Sequence, residues 1–193
     1  GLDTRVNGFV PLGTDKSAGA LDVNVELANL PLALLNGVVK DQNLGGNVTG
    51  TAKVTGALTN PAAEFNLNGR ALSAKPLAEN GLAPLNLKAA GRYGDKTVNI
   101  SSLSVDGPQN LSVTAQGRVP LSGSGLGIDV TGQIPLALAN RFLSDRGAQA
   151  TGTLALTANV SGGFDNPQIR GMFSTSGAQM VDPETNIRLN NIT

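Results

Sequence analysis

Apolar and polar side chains alternate one for one along most of this chain. From Asn47 to Leu58, the apolar or small residues Val48, Gly50, Ala52, Val54, Gly56 and Leu58 fall on one side, and Asn47, Thr49, Thr51, Lys53 and Thr55 fall on the other. A period of two belongs to a β-strand with two unlike faces. The same pattern runs through LDVNVEL from Leu21, EFNLNG from Glu64, LNLKAAGRY from Leu85 and TVNI from Thr97. It continues in LSVTAQGRV from Leu111, IDVTGQI from Ile128 and TGTLALTANV from Thr151. Turn signals separate these runs: Tyr93-Gly94-Asp95-Lys96, Asp106-Gly107-Pro108 and Gly123-Ser124-Gly125. The pattern predicts an antiparallel meander of roughly ten or more strands.

Two stretches break the alternation. LPLALLNGVVKDQ from Leu30 and IPLALANRFLSDRG from Ile134 each place a proline where a first helical turn tolerates it, followed by apolar residues at helical spacing. They predict short helices near Pro31 to Lys40 and Pro135 to Arg146, whose apolar stripes (Leu32, Leu35, Val39; Leu138, Phe142) must be buried against the sheet. Gly45 and Gly147 supply stops.

The chain also repeats itself. GFVPL at Gly8 matches GRVPL at Gly117, ALDVNVELANLPLALLN at Ala20 matches GIDVTGQIPLALAN at Gly127, and the TGT…NP stretch from Thr49 returns from Thr151. A repeat of about a hundred residues predicts a first unit over 1–72, a connecting β-meander over 73–116 and a second unit over 117–193. Such a unit cannot satisfy its own sheet edges, so copies stack end to end.

Composition shapes the interior of such a sheet. Among 193 residues there are 25 Gly, five Phe, one Tyr and no Trp, and the 40% apolar share is mostly Ala, Val, Leu and Ile. A filled core draws on bulkier residues. Glycines at strand positions 50, 56, 69, 91, 117, 132 and 152 fit a strongly curved ribbon whose neighbouring strands approach closely. The expected fold is therefore mainly β: an elongated, curved antiparallel sheet folded over an apolar groove, with two short helices. The predicted groove lining is Val48, Val54, Leu67, Leu87, Val98, Ile100, Val113, Val130, Leu154 and Leu156.

Several function classes find little support. Lys and Arg total 14, Asp and Glu total 14, and no basic run is long enough to follow a phosphate backbone, so no nucleic-acid partner is expected. Without His or Cys there is no imidazole base, thiol nucleophile or His-bearing metal site, and neither an enzyme nor a cofactor is expected. Asp182-Pro183-Glu184 reads as a turn before NIRLN, and GSGLG at Gly123 reads as a hairpin, since it lacks the lysine of a phosphate-binding loop. The five sequons, at Asn47, Asn99, Asn110, Asn159 and Asn191, are what Asn- and Thr-rich amphipathic strands produce by chance. No export signal or long apolar span is visible, and the chain reads as a piece of something longer.

The alternation, the recurring G-x-hydrophobic-x-G units, the NP turns in TGALTNPAAEFNLNGRAL and SGGFDNPQIRGMFSTSG, and the helix IPLALANRFL between meanders together resemble the TamB family, the translocation and assembly module proteins. More distantly they are similar to the AsmA-like group. The resemblance implies a large protein of Gram-negative bacteria, anchored in the inner membrane and running through the periplasm to a TamA-like outer-membrane partner of the Omp85 class. It also implies a sheet folded like a taco, whose apolar interior carries phospholipid acyl chains toward the outer membrane or supports β-strands of outer-membrane proteins. A second class stays open, a structural β-solenoid of a secreted adhesin or autotransporter passenger. A rung there recurs every ~20 to 25 residues, whereas the period here is about a hundred.

Overall fold

A computed structural model of the chain describes residues 1–11, 20–39, 41–143, 147–163 and 165–192. The described residues are 68% strand and form one open, curled sheet of eleven strands in strict chain order, each antiparallel to the next. The strands are β1 (Asp3–Phe9), β2 (Leu21–Pro31), β3 (Gly45–Ala57), β4 (Asn60–Ser73), β5 (Leu85–Gly94) and β6 (Thr97–Asp106). They continue with β7 (Ser112–Pro120), β8 (Ser124–Pro135), β9 (Gln149–Gly163), β10 (Pro167–Asp182) and β11 (Ile187–Ile192). The expected meander is the observed fold. A wholly antiparallel sheet is not the parallel coil of a β-helix.

The two rims of this sheet differ. At one, β3 hands over to β4, β5 to β6 and β7 to β8 through short turns, such as the two-residue Asp95-Lys96 turn between β5 and β6. Both of its residues have positive φ, 48° and 56°, the turn that matches the twist of a hairpin. At the other rim the connections carry the helical pieces: a 3-10 segment Leu32–Gly37, the helix α1 (Lys75–Glu79), a 3-10 turn Pro108–Asn110, and a 3-10 segment Leu136–Ala139 running into the helix α2 (Asn140–Leu143). The NP signals sit at strand starts, Asn60 opening β4 and Pro167 opening β10.

Both expected helices therefore exist, chiefly in 3-10 form, while their expected ends at Lys40 and 144–146 lie outside the described residues. Their apolar stripes are not buried as expected. Leu35 and Val39 are exposed and Phe142 is 70% exposed. Leu32 and Leu138 are half-buried, whereas Val39 lies beyond the 3-10 segment that ends at Gly37 and Phe142 lies in the four-residue α2.

The chain exposes 12422 Å², whereas a compact protein of its 19.6 kDa exposes about 8,600 Å². No large side chain among the described residues is fully buried; Ala178 and Ala148 are nearly so, Ala158 is buried within β9, and the buried leucines Leu21, Leu111 and Leu126 lie at or near strand ends. Substantial contacts between strands are those of sheet neighbours. The sheet is one layer thick, and its stability comes from ladders and from side chains touching along one face.

Candidate functional site

Strand register sorts the inward side chains into rows that cross the strands at right angles. One row runs Val6, Val25, Ala52, Phe65, Gly91, Ile100, Gly117, Ile128, Val160, Ile169, each paired with the next from β1 to β10. A second runs from Leu27 on β2 through Gly50, Leu67, Ala89, Leu103, Ala115, Val130 and Ala158 to Gly171. A third runs from Leu30 through Val48, Gly69, Leu87, Val105, Val113, Gly132 and Leu156 to Phe173. No polar side chain interrupts any of the three. At ~4.8 Å between strands, nine steps make a strip about 43 Å long.

Burial sets this face apart from the other. Val113 and Thr114, like Val130 and Thr131, are neighbours of almost equal size on opposite faces, yet the valines are half-buried and the threonines exposed. Among the described residues nothing packs over either face, so contact with neighbours along the rows, together with the curl of the sheet, is what shields the valines. Glycine permits the bend at two kinds of place. At Gly117, φ is 140° and a Cβ would overlap the Gly127 carbonyl oxygen, so the neighbouring backbone is closer than any side chain allows. At Gly91 a Cβ would stand 2.9 Å from Cζ of Phe65, whose ring uses the space above the glycine.

All ten predicted lining residues lie on this face, and all ten are half-buried. Val48, Leu87, Val113 and Leu156 share the third row, Leu67 and Val130 the second, and Ile100 stands in the first. Val54 and Val98 belong to a fourth row near the tight-turn rim, where Val23, Val54, Ala63, Tyr93, Val98 and Val119 pair in turn. Leu154 pairs with Ile134 near the other rim. Leu58, expected on the same side as Val54, stands in the turn after β3 and is exposed.

Sequence reasoning missed Leu103 and Val105, which the register shift between Ile100 and Leu103 returns to the inner face beyond two serines. It also missed Ile169 and Phe173. Their signal was present, because a shift of 106 residues places them on Ala63 and Leu67 of the first unit.

The helical rim is held by a device that occurs in both units. Asn36 accepts a 2.7 Å hydrogen bond from Leu44 N and donates one of 3.0 Å to Leu44 O. Asn140 accepts a 2.6 Å bond from Ala150 N. These asparagines end the two matching stretches LPLALLN and IPLALAN, and each ties its connector to the start of the returning strand.

The outer face is polar and charge-paired. Arg92 lies 2.8 Å from Glu64, Lys53 lies 3.7 Å from Asp22, and Arg5 lies 3.7 Å from Glu26, all well exposed. A depression of about 600 Å³ there includes Glu26, Lys53, Glu64 and Arg92 in its lining. Its charges balance, so it offers an ion little net attraction. Asp182 closes the turn before β11, its Oδ1 accepting from Glu184 N at 3.0 Å. Among the described residues no three acidic side chains cluster as metal ligands, and no helix is long and apolar enough to cross a membrane. The arrangement suits an elongated apolar chain lying along the rows.

No family model, curated protein or solved structure matches the chain.

Proposed function

We propose that the inner face is a segment of a conduit for phospholipid acyl chains. The observation that carries this reading is the set of three apolar rows crossing β2 to β10 without a polar side chain, on a face that no second layer of the described residues covers. One leaflet of a bilayer's hydrocarbon is ~15 Å thick, so a strip of about 38 Å from β2 to β10 takes two to three acyl lengths in line. Removing about 400 Å² of acyl surface from water is worth ~10 kcal/mol before the loss of chain freedom. With no charged group in the three rows, the lining favours apolar length over any particular headgroup.

On this reading the chain is a periplasmic segment of a TamB-like protein, anchored elsewhere in the inner membrane and working with a TamA-like barrel in outer-membrane biogenesis. The resemblance in sequence and the open, curled sheet support it together.

The test is native mass spectrometry of the purified protein combined with photocrosslinking from positions 130 and 131. Bound phospholipid, with crosslinks from Val130 and none from Thr131, is the expected result. A crosslink from Thr131 alone would place the cargo on the outer face. No lipid adduct and no crosslink from either position would remove the conduit.

A further inference from the structure

The polar face carries a second site, centred on an irregularity in β6. Ser101 has no partner in the register of β6 with β5, where Ala90 faces Ser102 and Gly91 faces Ile100. It has none in the register with β7 either, where Ile100 faces Gly117 and Leu103 faces Ala115, so Ser102 and Gln116 are left out as well. A bulge leaves a residue outside the ladder and re-aims side chains, and bulges are over-represented beside functional sites. This one lies in mid-sheet and sets two exposed serines side by side.

Two hollows of the polar face meet there. The depression of about 600 Å³ that includes Asn7 and Asn24 reaches Ser101, and a second of about 330 Å³ runs from Ser101 and Ser102 to Gln116, Asp129 and Thr131. A third, of about 410 Å³, shares those last three residues and continues to Asn159 and Arg170. Together they cross the sheet from β1 to β10. The charges along this trough cancel, Glu26, Glu64 and Asp129 against Lys53, Arg92 and Arg170. Arg92 and Glu64 hold each other at 2.8 Å, and Asp129 accepts a 2.8 Å bond from Asn159. The side-chain amides of Asn24, Asn66 and Gln116, by contrast, have no hydrogen-bond partner among the described residues.

We propose that this trough binds a neutral linear glycan lying across the strands, with Ser101 at its middle. Cancelling charges give a polyanion or a polycation no net attraction. An extended peptide would meet no free strand edge, because each strand from β2 to β9 has a neighbour on both sides. A sugar ring offers adjacent hydroxyls that both donate and accept, and a side-chain amide answers them with a donor and an acceptor of its own. Strands ~4.8 Å apart present such groups at close to the repeat of a linear glycan, one sugar to a strand. The proposal is independent of what the apolar face carries.

The probe is chitohexaose, a neutral linear glycan, titrated into the whole chain and followed by amide chemical shifts and calorimetry. An oligogalacturonate of the same length is the anionic control. Shifts are expected at Ser101, Ser102 and Gln116, with weaker binding of the anionic chain. Asn66→Leu and Gln116→Leu, both at exposed positions, are each expected to weaken chitohexaose binding about fivefold, as the loss of one hydrogen bond dictates, and to leave the melting temperature unchanged. No shift with chitohexaose, shifts confined to the apolar rows, equal affinity for the two glycans, or an affinity untouched by both substitutions overturns the proposal. So do shifts of the same amides without sugar in a species of dimeric mass, which would assign the face to a second copy.

Discussion

A carboxylate placed on the inner face separates an open trough from a closed core. Val113 is half-buried between Val105 and Gly132. Replacing it with Asp forfeits about half of a valine's burial, about 1 kcal/mol. The new carboxylate loses part of its hydration against apolar neighbours but keeps contact with water along the uncovered face, which costs about another 1–2 kcal/mol. The sum, about 2–3 kcal/mol, corresponds to a fall in melting temperature of roughly 5–10 °C for a chain of this size. In a sealed core the same group would be stranded without water or partner, at a cost of more than about 4–5 kcal/mol, enough to abolish cooperative folding. Thr114→Asp, one residue on and exposed, should stay within about 0.5 kcal/mol of the parent. Thermal melts followed by circular dichroism, with Val113→Ala to isolate the lost burial, check the set. Loss of the transition in Val113→Asp would refute the open face, and equal shifts for Val113→Asp and Thr114→Asp would refute the assignment of faces.

Other expectations follow from particular contacts. Gly91→Ala puts a methyl into the Asn99 carbonyl and the Phe65 ring and should cost more than about 2 kcal/mol, whereas Gly69→Ala meets only the movable end of Leu72 and should cost less, as chemical denaturation will compare. Asn36→Ala and Asn140→Ala each leave the amide at the start of a returning strand without its acceptor, and each should cost about 1–2 kcal/mol, with faster amide exchange at Leu44 or Ala150 respectively. Leu138→Ser, at a half-buried position, should lower the melting temperature by a few degrees, whereas Phe142→Ser, at a position 70% exposed, should leave it almost unchanged.

Much of this fold was legible because alternation and pairing register are one piece of information. Once LDVNVEL or TGTLALTANV is read as a strand, its inward residues follow, and Leu154 and Leu156 lie where the period of two puts them. Legibility failed where the period slips. The bulge near Ile100 inserts an extra residue among serines, and no local pattern announces that Leu103 turns back to the lining. KPLAE became a five-residue helix in a stretch too short to display helical spacing. The helical connectors wound chiefly as 3-10 and left Phe142, in the short α2, in solvent, because their conformation answers to the anchoring of Asn36 and Asn140 as well as to their own apolar residues. The ion pairs of the outer face depend on which strand lies beside which, and only the register supplies that.

The strands lie across the length of the sheet, and the bonds of an antiparallel ladder are perpendicular to its strands, so those bonds point along the groove. Tension applied between β1 and β11 therefore falls on the ladders in series and peels them like a zipper, whereas tension along one strand would shear a whole ladder at once. A protein built this way is compliant along its axis and firm across it. Stretched between two fixed points, it lengthens by parting a single seam while the trough on either side keeps its shape.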